Sequence, residues 1–132
     1  MEREPLIVLV GHCRPDAGMI SSMVRRAAPQ ARIANVESLR ELLANLPEAC
    51  LLLVNRVLDG DFNTADGVDL MRSINPCSTW MLVSNFEDAQ SRAMEAGALQ
   101  GFGKSMLYDS STLERVRQAV KEPPPARPGD CG

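Results

Sequence analysis

Cys50-Leu51-Leu52-Leu53-Val54-Asn55 decides how this chain is read. The run is wholly apolar, halts on a polar amide and passes into a loop, Arg56 to Ala65. A segment with no polar face is buried on both sides, as the central strand of a parallel sheet is. Open α/β sheets place their sites outside the carboxyl ends of such strands, which puts Asn55 at the candidate site.

Working outward, apolar runs alternate with amphipathic segments. Leu6-Ile7-Val8-Leu9-Val10 is a continuous aliphatic run ending at Gly11 and predicts a buried strand. Pro15 and Asp16 mark a helix start, and Met19, Ile20, Met23, Val24 and Ala27 follow at helical spacing. Ala31 to Val36 has the mixed character of a strand near a sheet edge. Ser38 and Glu41 form an S-x-x-E capping box ahead of the Leu39, Leu42, Leu43, Leu46 stripe.

Beyond the central run, Asp66 to Ile74 predicts a third helix, Thr79 to Val83 a fourth strand, and Glu87 to Ala96 a fourth helix closed by Gly97. Gln100-Gly101-Phe102-Gly103 is a short fifth strand-like segment before Lys104. Ser111 and Glu114 read as a second capping box, opening a last helix. Proline interrupts everything after Glu122, so the organisation is a domain over 1–121 and a Pro-rich tail or linker over 122–132.

This regular β-α alternation predicts a doubly wound α/β fold: one five-stranded parallel sheet, order 2-1-3-4-5, with five helices in a three-layer sandwich. The flavodoxin-like order has its switch point between the first and third strands. Gly11-His12-Cys13, Asn55, Ser84 and Lys104 follow the strand ends and are expected to converge on one pocket.

Composition excludes several function classes. A net charge of -3 over 132 residues leaves no basic surface for nucleic acid. No apolar segment reaches a membrane span, and the amino terminus lacks a signal-peptide pattern, so a cytoplasmic setting is expected. The four cysteines, Cys13, Cys50, Cys77 and Cys131, show no C-x-x-C pair and are read as free thiols. With a single histidine, no G-x-S-x-G elbow and no Walker loop, the chain lacks the parts of an enzyme.

The chain resembles the receiver domains of bacterial response regulators. Carrying the resemblance are Leu9-Val10 before a turn ending in Pro15, Leu52-Leu53-Val54 before Asn55, Asp66-Gly67 opening a helix, Val83-Ser84, and Gly97-Ala98 leading to Lys104. The resemblance implies an acidic pair at His12 and Cys13, a phospho-accepting aspartate at Asn55, a hydroxyl at Ser84, an aromatic switch at Gly101 and a lysine at Lys104. Only Ser84 and Lys104 match.

An amide is not the nucleophile that forms an acyl phosphate, and imidazole and thiol are poor ligands for magnesium. The expectation is therefore a pseudo-receiver in two-component-type signal transduction, with no phosphorylation at Asn55 and no magnesium cofactor. Its partners would be other signalling proteins, a histidine kinase or an output module. By the resemblance, contacts run through the face of helix 4, strand 5 and helix 5, with Arg92, Met94, Gln100 and Arg117 exposed there and a homodimer as one arrangement.

The alternative is a small-ligand, metal or redox sensor using a remodelled pocket at His12, Cys13 and Asn55; a conventional phosphorelay receiver ranks third. Locally, Lys104 is expected either to bond the Asn55 carbonyl or to extend into water, and Ser84 to satisfy nearby backbone groups. Phe102 reads as core. The loop Asp59-Gly60-Asp61-Phe62-Asn63 begins like a calcium loop but lacks its glycine and glutamate; Phe62 is a candidate exposed contact or packs locally.

Overall fold

The computed structural model describes residues 4–121. The tail, 122–132, with Cys131, lies outside the described residues. Five strands, β1 (Leu6–Val10), β2 (Arg32–Val36), β3 (Ala49–Asn55), β4 (Thr79–Val83) and β5 (Leu99–Phe102), form one parallel sheet in the order β2-β1-β3-β4-β5. Five helices join them: α1 (Arg14–Ala27), α2 (Leu39–Asn45), α3 (Gly67–Ile74), α4 (Glu87–Glu95) and α5 (Ser110–Lys121). The predicted order holds.

The opening stretch supplies both faces of the sheet. Alternate side chains of a strand point to opposite faces, and β3 divides accordingly. Leu52 and Val54 join Val8, Leu42, Val68, Met71, Trp80 and Ala93 in the core beneath α2, α3 and α4. Leu51 and Leu53 join Leu9, Ile20, Met23, Met81, Val116 and Ala119 beneath α1 and α5. Each fully buried leucine contributes roughly 2 kcal/mol of apolar burial, which makes this strand the hub of two cores. β2 shows the half-exposed pattern of an edge strand.

Caps explain the helix boundaries. Ser38 Oγ accepts from Glu41 N at 3.1 Å, so the expected cap forms, while Glu41 Oε1 accepts from Glu37 N at 2.9 Å, which shifts the return bond of the capping box one residue ahead of the cap. Asp66 caps α3 through Asp69 N, and Asn75 closes it in the left-handed region at φ 43°. The second capping box does not form, because α5 already begins at Ser110 and Ser111 lies inside it. Glu114 instead meets Arg117 and Gln118 on the helix surface.

Two other expectations need correction. Phe62 is 1% exposed and belongs to the core under α2 and α3, because the loop folds back and pairs with the Glu37–Leu39 backbone through Asp61. Cys77 is disulfide-bonded, whereas Cys13 and Cys50 are free. Among the described residues no helix is long and apolar enough to cross a membrane.

Candidate functional site

The carboxyl ends of β1, β3, β4 and β5 and the loops that follow them bring the site residues together. Gly11 adopts a positive φ of 74°, a turn in which a side chain would strike Leu58. The turn presents its carbonyl to two donors, Asn55 Nδ2 at 3.0 Å and Asp59 N at 2.9 Å. Asn55 is therefore a structural brace between β3 and the β1 turn. Its amide NH2 is occupied by a contact that no carboxylate could make, since an ionised carboxylate has no proton to donate.

His12 is 1% exposed. Its Nε2 lies 2.9 Å from Leu53 O, a contact that requires the proton on Nε2, and its buried Nδ1 has no partner among the described residues. Burial pulls the imidazole pKa from 6.5 down to about 4; the bond to Leu53 opposes this, Lys104 adds to it and Asp16 opposes it. The ring is neutral at physiological pH, turned into the fold and engaged with backbone.

Lys104 takes neither of its expected roles. Its Nζ pairs with Asp16 Oδ2 at 2.5 Å. This contact, followed by a hydrogen bond from Cys13, holds the Asp16 carboxyl below its ordinary value against the effect of burial. The carboxylate paired with the lysine thus comes from the first turn of α1, three residues after Cys13. Sequence spacing offered one signal for it: Asp16 sits in a helix start beside a strand end, where an otherwise unpartnered lysine needs an anion.

The remaining positions form a shallow cleft of ≈ 200 Å³. Asn55, Ser84 and Lys104 line it together with Arg56, Val57, Asn85 and Phe86. His12 and Cys13 are not among its lining residues, so the expected convergence on one pocket is only partial. Ser84 Oγ accepts from Phe86 N at 3.1 Å, the local backbone role expected of it. Phe86 is 60% exposed, and the Arg56 guanidinium stacks 4.9 Å above its ring.

Gly101 is buried and, lacking a side chain, has nothing that can move; Phe102 beside it is core. On the face expected for contacts, Met94 and Gln100 are exposed, together with Leu99. Arg92 is exposed but engages Asp66 and Asp69 at 3.4 and 3.5 Å, tying α4 to α3. Arg117 turns toward α1, its Nε donating to Ala27 O at 3.3 Å.

A hard divalent cation needs several oxygen ligands. Here the imidazole is engaged with Leu53, the Asn55 NH2 with Gly11, and the Asp16 carboxylate with Lys104. Among the described residues no group of three or more His, Cys, Asp or Glu side chains is placed to hold a metal. The side chains present do not fit the magnesium that the resemblance implies.

No protein-family model matches the sequence, and no curated protein does. Solved structures do. A protein from Chloroflexus aurantiacus described as a response regulator superposes with a TM-score of 0.73 at 17% identity, covering 91% of this chain and 100% of that one. The chain has the receiver-domain fold. The receiver domain of a DNA-binding response regulator from Colwellia psychrerythraea gives a TM-score of 0.67 at 18% identity, covering 91% of this chain and 100% of that one. A response regulator from Thermotoga maritima gives 0.67 at 16%, with the same coverage. At such identities the likeness concerns the receiver fold and says nothing of the residues at the strand ends.

Proposed function

We propose that this chain is a pseudo-receiver: a receiver-like module of bacterial two-component signalling that is not phosphorylated at Asn55, is not an enzyme, and acts through contacts with other proteins in the cytoplasm. The observation that carries the reading is the brace from Asn55 Nδ2 to Gly11 O. At the strand end where a receiver needs a nucleophilic carboxylate, the chain has an amide already used in holding two loops together. The replacement of both acidic positions by His12 and Cys13 supports the same reading, as does the pairing of Lys104 with Asp16. With no hard-ligand set beside it, family-type magnesium has no role.

The sensor alternative is weakened because His12 faces the fold interior and lies outside the cleft lining. Partners are proposed to be a kinase-type or output protein. Exposed Met94 and Leu99 favour the α4-β5-α5 face for that contact, and for a homodimer through the same surface.

The test is incubation of the full chain with acetyl phosphate and magnesium, followed by intact-mass spectrometry and peptide mapping. No phosphoryl increment is expected on the 49–55 strand. A stable increment mapping to Asn55 would overturn the proposal and return the chain to the conventional receivers.

A further inference from the structure

The three residues that connect β4 to α4 are tied down from two sides. β4 and β5 pair as Met81 with Leu99 and Val83 with Phe102, so β5 carries one residue more than β4 between the two pairs and the ladder is bulged. Gln90, from the first turns of α4, reaches into that irregularity. Its Nε2 donates to Leu82 O at 2.9 Å and to Ser84 O at 3.1 Å, while its Oε1 accepts from Gly101 N at 3.1 Å. The side-chain amide thus stands in for a peptide unit, donating to one strand and accepting from the other.

Glycine is what admits it. A Cβ at Gly101 would lie 2.0 Å from Leu82 O and 3.0 Å from Gln90 Oε1. The same arrangement recurs one step further along. Asn85 Oδ1 accepts from Ser105 N at 3.2 Å and from Ser105 Oγ at 3.0 Å, in a space that a Cβ at Gly103 would invade at 1.8 Å. Ser84 N donates to Phe102 O at 2.9 Å between the two.

We propose that Gln90 and Asn85 form a double amide clamp that fixes the Ser84–Phe86 connection in one conformation, so that the cleft wall and the exposed Phe86 with its stacked Arg56 are presented permanently. The clamp deepens the pseudo-receiver reading by naming how the module stays in one state, and rests on that reading for its meaning in signalling. Loss of the half-buried Gln90 amide leaves Leu82 O, Ser84 O and Gly101 N without their side-chain partner at once, while the exposed Asn85 adds a separate tie to Ser105.

Amide hydrogen exchange on the full chain tests it, with Gln90→Leu and Gly103→Ala as variants. In the native chain the amides of Ser84, Gly101 and Ser105 are expected to exchange far more slowly than unprotected ones. Gln90→Leu should accelerate Gly101 and Ser84 by about tenfold or more while Val8 and Leu52 in the sheet centre keep their rates. Gly103→Ala, which displaces Asn85, should accelerate Ser105 in the same way and provides the readout if Gln90→Leu does not fold. Unprotected exchange at these amides in the native chain, or unchanged rates in the variants, would overturn the clamp. Phosphoryl transfer to Asn55 would leave these rates as the criterion, so the two proposals fail separately.

Discussion

At the scale of single residues, His12 carries the strongest pH signature. It is buried, with Nε2–H given to Leu53 O and Nδ1 facing no acceptor among the described residues, so a second proton would place an unpaired N–H and a charge in the interior. Its folded pKa is lowered from 6.5 to about 4. The unfolded chain therefore binds the proton first, and the stability this residue contributes is fully present above pH 6.5 and lost as pH falls toward 4. Urea unfolding should show about 2 kcal/mol of stability lost between about pH 7.5 and 5. In His12→Leu that slope should flatten, and a variant that keeps the full slope would exclude His12 as its source. The identity of the residue was legible as a departure from the receiver pattern; its partner was not, since a hydrogen bond to Leu53 O depends on how the β1 turn leaves the sheet.

At the scale of elements, the strands were readable because each is apolar enough to be buried on both faces, and helix starts were readable where a side chain caps them. Ser38 is the clear case: its hydroxyl accepts from Glu41 N, and the same segment receives the folded-back loop through Leu39 N to Asp61 O at 2.8 Å. Ser38→Ala should lower unfolding stability by about 1 kcal/mol, seen as a shifted urea midpoint with an unchanged slope. A loss well beyond this would show that the pairing of Ser38 with Asp61 also fails. The same S-x-x-E pattern misplaced the start of α5, because Ser111 already has a helical position and the pattern does not reveal which residue leaves the helix. The site elements were less legible still. Asp16, Gln90 and Asn85 act across 88, 11 and 20 residues of sequence respectively, on Lys104, Gly101 and Ser105; the helix start hinted at Asp16, and the close-approach glycines at 101 and 103 hinted at the other two.

For the whole molecule, the receiver fold and the chemistry usually grafted on it are physically separable. Two apolar clusters, one on each side of the sheet, hold the architecture, and none of Asn55, Cys13, Lys104 or Asp16 belongs to either. A change at Asn55 alone therefore leaves the fold intact but meets an unprepared environment. In Asn55→Asp the new carboxylate loses the donor that reaches Gly11 O and sets a negative oxygen against that carbonyl. Lys104 is engaged by Asp16, and His12 and Cys13 supply no oxygen ligand nearby. The variant should fold, lose about 1–3 kcal/mol of stability, show no rise in melting temperature with magnesium, and take no phosphoryl group from acetyl phosphate. The triple variant His12→Asp, Cys13→Asp, Asn55→Asp sets carboxylates at all three positions that the resemblance names; because position 12 is turned to Leu53 O and away from the cleft, magnesium raises its melting temperature only when the β1 turn rearranges. If Asn55→Asp by itself takes up a phosphoryl group, the acidic pair is dispensable and the proposed pseudo-receiver character rests on one amide; if only the triple variant responds to magnesium, that character is distributed over the whole rim of the sheet.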